Sequence, residues 1–251
     1  MVIGLIGERG REVRELLGQQ RRSHVVGVAA TADRPALERA RGAMAACAVA
    51  EHFRSRGANV LLVLDSLTRF AMALREVGLA LGEAPATKGY PPSVFATLPR
   101  LLERVAPAAS GGSITGFYTV LVEGDDLSDP VADSARSLLD AHIVLNRDLA
   151  ARGHFPAIDV LASASRVARR VAGHGAIKLA DKARDLLARR RHAAELQALG
   201  AYTPGANPAY DIALATGDRI DNWAKQAPYA RATAAEAVAG LATALGEEVP
   251  K

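Results

Sequence analysis

The 251-residue sequence has one cysteine, Cys47, so no disulfide can form within the chain and a disulfide-stapled fold is excluded. Cys47 lies in the Ala-rich run from Ala43 to Ala50, where a small buried thiol packs well. No run of 18 apolar residues occurs, which excludes a conventional membrane-spanning helix. The first residues also lack the basic, apolar and small-residue succession of a secretory leader, and the expected setting is the reducing cytoplasm. Lysine is scarce: there are five, at 88, 178, 182, 225 and 251, and none follows a glycine. A loop that cradles nucleotide phosphates ends in Gly-Lys-Ser or Gly-Lys-Thr, because backbone N–H groups and the ammonium together hold the oxyanions. This chain contains no such loop.

Lys plus Arg total 31 against 27 acidic residues, so the net charge is +4 and, with five lysines, 26 of the cations are arginine. The excess is spread along the chain rather than gathered into a stripe, which argues against a nucleic-acid surface. Arginine's planar fork instead suits carboxylate or phosphate partners. The six histidines, at 24, 52, 142, 154, 174 and 192, show no metal-ligand spacing.

Hydrophobic residues make up 49% of the chain, enough for a sizeable core. Short apolar runs at Val2 to Ile6, Val25 to Ala29, Val60 to Leu64, Ile114 to Val122 and Ile143 to Leu145 read as strands. Between them, apolar residues recur every three or four positions over Glu12 to Gln20, Pro35 to Arg56, Arg69 to Leu81, Ser93 to Val105 and Pro130 to Asp140. This alternation predicts an α/β fold, a mostly parallel sheet flanked by helices on both faces. The run from Val60 to Leu64 has no polar alternation, so it should be central and buried on both sides. Beyond about Gly173 only helical patterns remain, at Ala176 to Leu199, Pro208 to Lys225 and Arg231 to Leu245, with the loop Gly200 to Pro208 between the first two. The expected division is a sheet domain over 1–173 and a small all-α domain over 174–251.

Two carboxylates stand at strand ends. Glu8 follows the first strand in Gly-Glu-Arg-Gly, and Asp65 follows the apolar run ahead of Ser66 and Thr68. The carboxyl ends of parallel strands are where open α/β sheets bind ligands. For Glu8 the alternative is a surface residue in a strand-to-helix turn. For Asp65 it is a helix N-cap, set against a carboxylate that holds Mg²⁺ through water. Together the pair suits phosphoryl transfer to water, one residue anchoring the metal and the other orienting the nucleophile.

Four stretches carry a resemblance: LIGERGREVREL (5–16), the run from Leu61 to Val105, the run from Ser113 to Arg147, and GHFPAIDVLASASRV (153–167). They resemble the hexameric export ATPases of flagella and type III secretion systems, which are relatives of the rotary ATP synthase subunits. More weakly, the resemblance continues through GAYTPGANP. It implies a RecA-like sheet domain that works with ATP and Mg²⁺.

By the same resemblance, Glu8 polarises the attacking water, Arg9 contacts the γ-phosphate region and Asp65 serves the metal. Arg69 is a candidate near the phosphates, or simply a solvated or ion-paired helix arginine. Arg166, in Ser-Ala-Ser-Arg-Val, matches the arginine finger that reaches a neighbouring subunit's site. Phe155 matches an aromatic packed on the adenine, and Tyr202 is a second wall or a core residue. The acidic loop Glu123 to Pro130 and its companion Gly82 to Pro92 match loops that face the ring's central hole and a coiled-coil stalk; a solvated acidic turn is the alternative. The spacing of the acidic loop lacks the glycine and terminal glutamate of a calcium loop. Implied partners are copies of itself in a homo-hexamer, the stalk, a regulator and export substrates, at the cytoplasmic periphery of an inner-membrane export gate, with no nucleic acid.

In that family the phosphate loop lies just upstream of the Gly-Glu-Arg strand, so Met1 is expected to fall inside the nucleotide domain. Turnover of ATP by the chain alone is expected to be negligible. Two further readings follow: an interaction module without catalysis, and a subunit of a rotary proton-transporting ATP synthase. A ring helicase is disfavoured by the acidic loop, since a nucleic-acid channel should be basic.

Overall fold

The computed structural model describes residues 1–19, 24–109 and 111–250. Its residues form two compact units, Met1–Leu139 and Asp140–Lys251.

In the first unit, β1 (Val2–Ile6), α1 (Gly10–Gln19), β2 (Val26–Ala30), α2 (Ala36–Ser55), β3 (Asn59–Asp65), α3 (Leu67–Ala80), α4 (Pro92–Leu102), β4 (Ser113–Tyr118) and α5 (Pro130–Leu138) follow one another. Gln20, the expected end of the first helix, lies outside the described residues, as does Lys251 at the end of the expected helical domain. The strands form one parallel sheet in the order β2-β1-β3-β4. β3 is interior, as expected. Its expected burial on both faces does not hold: Val60, Leu62 and Leu64 are buried, while Leu61 is 36% exposed.

The reason lies in how the helices are shared out. Val2, Ile6, Leu62, Leu64 and Ile114 meet α2, whose Ala40, Ala43, Ala46, Cys47 and Ala50 are small enough to let helix and sheet approach closely. On the other face α1 covers only β1 and β2, through Val13 and Leu17 against Ile3 and Leu5. Leu61 and Phe117 therefore stay exposed. Cys47 is the expected core thiol, and burial pushes its pKa up to about 11.

The second unit contains β5 (Ala141–Leu145), α6 (Arg147–Ala151), β6 (Ile158–Ser165), α7 (Ala168–Val171), α8 (His174–Ala198), α9 (Pro208–Ala224) and α10 (Ala234–Leu245). Ile143 to Leu145 is a strand, but it pairs antiparallel with β6 and not with the parallel sheet. β6 itself was not expected from the sequence. The pair β5 and β6 belongs to the second compact unit, which begins at Asp140. Helices α8, α9 and α10 share a core of Leu179, Leu186, Ala213, Ile220, Leu241 and Leu245. Arg190 on α8 pins α9 through Asp218 and Asp221, each at 2.7 Å. No helix among the described residues is long and apolar enough to cross a membrane.

Candidate active site

β1 ends at Ile6, and Gly7 turns the chain out of the sheet with φ of +73° while donating its N–H to Ala30 O at 2.7 Å. A β-carbon at position 7 would lie 2.9 Å from Arg69 Cβ, so the turn needs glycine for its backbone angle and for the close approach. The Glu8 carbonyl then accepts from Ala32 N at 3.0 Å. The Glu8 side chain is only 17% exposed.

Glu8 Oε1 is buried without a hydrogen-bond partner, and so is Arg69 Nε, 3.9 Å away. At that separation the charges attract but do not hydrogen-bond. Burial, and next the negative charge of Asp65, push the Glu8 pKa above its ordinary value, and the opposing pull of Arg69 does not cancel them. Glu8 is thus an inward-turned carboxylate with an unsatisfied oxygen, and not the surface residue of a plain turn. Arg9, by contrast, is 84% exposed and lies 3.8 Å from Glu12.

Asp65 is the last residue of β3 and lies opposite Leu5 of β1. Thr119 Oγ1 donates to its Oδ1 at 2.6 Å, which fixes the carboxylate. The N-cap of α3 is Ser66, whose Oγ accepts from Arg69 N at 3.2 Å, so the capping role weighed for Asp65 is filled by its neighbour. Thr68 ties the start of α3 to the chain beyond β4, accepting from Leu121 N at 2.8 Å. The peptide bond between Asp65 and Ser66 is cis.

Behind Gly7 opens a cleft of about 390 Å³ lined in part by Arg39, Arg69, Arg75 and Glu76. Arg39 donates to Glu76 Oε2 at 2.5 Å, and the Arg75 guanidinium sits 5.0 Å from the Tyr90 ring centre. Three guanidiniums against one carboxylate leave the cleft positive. Arg39 and Arg75 were missed in the sequence. Arg39 carried no local signal, because it reaches Glu76 of α3 from another helix, α2.

The two loops singled out earlier are joined by Lys88, whose Nζ lies 3.0 Å from Asp126 and 3.9 Å from Asp129. Hydrogen bonds from Ser128 and then Lys88 lower the Asp126 pKa to about 2. Asp129 also caps α5, accepting from Val131 and Ala132 N–H groups.

The remaining candidates belong to the second unit. Arg166 directly follows β6, is exposed, and donates its N–H to Asp140 O at 2.8 Å. Phe155 is 55% exposed, its carbonyl accepting from Gln226 N at 2.8 Å. Tyr202 is buried: its hydroxyl donates to Asp211 Oδ1 at 2.6 Å and its ring meets Tyr210 edge-on, which is the core placement weighed for it. The hydrogen bond to Asp211 and then burial push the Tyr202 pKa up to about 12. No cluster of three or more His, Cys, Asp or Glu able to hold a metal exists among the described residues. A single water-mediated carboxylate would not form such a cluster.

Two family models match the chain: the ATP synthase alpha/beta family, nucleotide-binding domain, over residues 1–165, and the T3SS EscN ATPase C-terminal domain over 173–243. Among curated relatives, the flagellum-specific ATP synthase of Pseudomonas aeruginosa is 49% identical over 250 residues, covering 98% of this chain and 55% of that protein. The type 3 secretion system ATPase of Pseudomonas syringae pv. tomato is 52% identical over 230 residues, covering 90% and 51%. The chain therefore spans about half the length of the curated relatives it matches. A solved structure of the assembled ATPase EscN from the enteropathogenic E. coli type III secretion system superimposes with a TM-score of 0.91 at 45% identity, covering 97% of this chain and 60% of that one. Another, of EscN in complex with its central stalk EscO, gives 0.86 at 44% identity, covering 97% and 59%.

Proposed function

Because the chain belongs to the ATP synthase alpha/beta nucleotide-binding family and continues into a type III secretion ATPase C-terminal domain, we propose that it forms the water-activating and finger-bearing part of an ATP-hydrolysing motor that energises flagellar or type III protein export. The nucleotide-binding domain then ends near residue 173 and the helical domain follows. Glu8 carries the reading: it is a half-buried carboxylate at a parallel strand end, with an unsatisfied oxygen and a raised pKa, beside Asp65 and Arg69. A carboxylate poised this way accepts a proton from water better than an ordinary surface glutamate.

Asp65, oriented by Thr119, would hold Mg²⁺ through water, since this ion keeps much of its hydration shell. Bound there, the metal would offset charge on the phosphate oxygens. Arg9 and Arg69 would face the γ-phosphate region, and exposed Phe155 would pack on the adenine, whereas Tyr202 acts through the fold of its own loop. Arg166 would reach a neighbouring copy's nucleotide within a homo-hexamer, as arginine fingers supplied in trans do. The loops joined by Lys88 would face a coiled-coil stalk, with a regulator and export substrates as further partners, at the cytoplasmic side of the inner membrane.

The test is a chimera in which this chain replaces the matching part of the P. aeruginosa flagellum-specific ATP synthase, whose remaining residues lie outside the match. The chimera is expected to release phosphate from MgATP, with Glu8→Gln and Arg166→Ala each lowering turnover roughly a hundredfold or more. Full turnover in Glu8→Gln would contradict the role given to Glu8.

A further inference from the structure

The strand that delivers Arg166 is held by side chains where a regular strand would be held by its neighbour. β6 pairs with β5 at its two ends, Leu145 with Ile158 and Ala141 with Ser165, and the register shifts between His142 and Val144. Across this irregularity the carbonyls of five successive residues are taken by side chains. Ser163 Oγ donates to Asp159 O at 2.7 Å and the His142 ring to Ala162 O at 3.2 Å. Arg184 of α8 supplies the rest, donating to Val160 O at 2.6 Å, to Leu161 O at 3.4 Å and to Ser163 O through both Nη atoms at 3.2 Å.

The N–H groups are treated likewise. Asp159, only 7% exposed, accepts from Leu161 N and Ala162 N at 3.0 Å each, and Ser163 Oγ accepts from Val144 N at 2.9 Å. Arg191, two turns beyond Arg184 on α8, meets both Asp159 oxygens at 3.0 and 3.1 Å. Backbone groups inside a protein must find partners, and here one helix supplies the charges that let the strand bulge. The bulge ends three residues before Arg166.

We propose that Asp159, Arg184 and Arg191 are positioning residues: they fasten the bulged part of β6 to α8, so that the placement of Arg166 follows α8. The catalytic consequence rests on the reading of Arg166 as the finger; the fastening itself does not. Movement of the helical domain would then be transmitted to Arg166 through two guanidiniums.

Hydrogen exchange on the 251-residue chain tests the fastening directly. Arg184→Ala is expected to speed exchange of the amides between 158 and 166 roughly ten- to a hundredfold while α9 and α10 keep their protection. Arg184→Lys keeps the charge but not the fork, and should give a smaller increase over the same residues. Unchanged protection, or a loss spread equally through α9 and α10, would overturn the proposal. In the chimera, Arg184→Ala and Asp159→Asn should lower kcat about tenfold or more with KM for ATP within about twofold. Unchanged kcat in both, where Arg166→Ala abolishes turnover, would overturn the link to catalysis. If Arg166→Ala itself leaves turnover intact, it is the finger reading that fails, and the exchange result still decides the fastening.

Discussion

Glu8 bears a charge that its surroundings oppose, because burial and Asp65 both favour the neutral acid. A folded-state pKa above the unfolded one means that stability is fully present below the unfolded pKa, near 4.5, and is lost as pH rises through the folded value. Glu8→Gln removes this loss. It should raise the unfolding midpoint at pH 7 and leave it unchanged at pH 4, and a lower midpoint at pH 7 would mean that the carboxylate is stabilised by partners. The Gly-Glu-Arg turn was legible in the sequence because a glycine between an apolar run and a charge has few other uses. What the sequence could not give was the reason for Gly7, the Arg69 side chain pressed against it from 62 residues further on. Arg69 is nearly as far in sequence from Glu8, whose Oε1 lies 3.9 Å from the Arg69 Nε.

Among the elements, the loops at 82–92 and 123–130 are bridged by Lys88, which reaches Asp126 and Asp129. The depressed Asp126 pKa contributes stability above its ordinary value of 3.8 that is lost as pH falls towards about 2. Lys88→Met should move the Asp126 carboxyl titration, followed by NMR, up towards the ordinary value; an unmoved titration would leave the depression to Ser128 alone. Regular elements were read well where one periodicity dominated, as in α2 and the apolar run of β3. β6 escaped notice because IDVLASAS has neither strict alternation nor a continuous apolar run. Its Asp159 and Ser163 serve the backbone of the bulge, a use that leaves no period in the sequence.

For the whole molecule, the parallel α/β unit and the helical C-terminal region follow from alternating patterns. The antiparallel pairing of β5 with β6 depends on long-range partners that no local pattern records. The same limit explains why β3 was expected to be buried on both faces: an apolar run states what can be covered, not which helix is there to cover it. The chain brings Glu8, Asp65 and Arg69 together at one sheet edge and carries Arg166 after β6, and its 251 residues include no Gly-Lys-Ser or Gly-Lys-Thr. Phosphate release from MgATP by the purified 251-residue chain is therefore the most direct measurement. Turnover no greater than that of its Glu8→Gln variant is the predicted result, and turnover matching a full-length export ATPase would contradict the account.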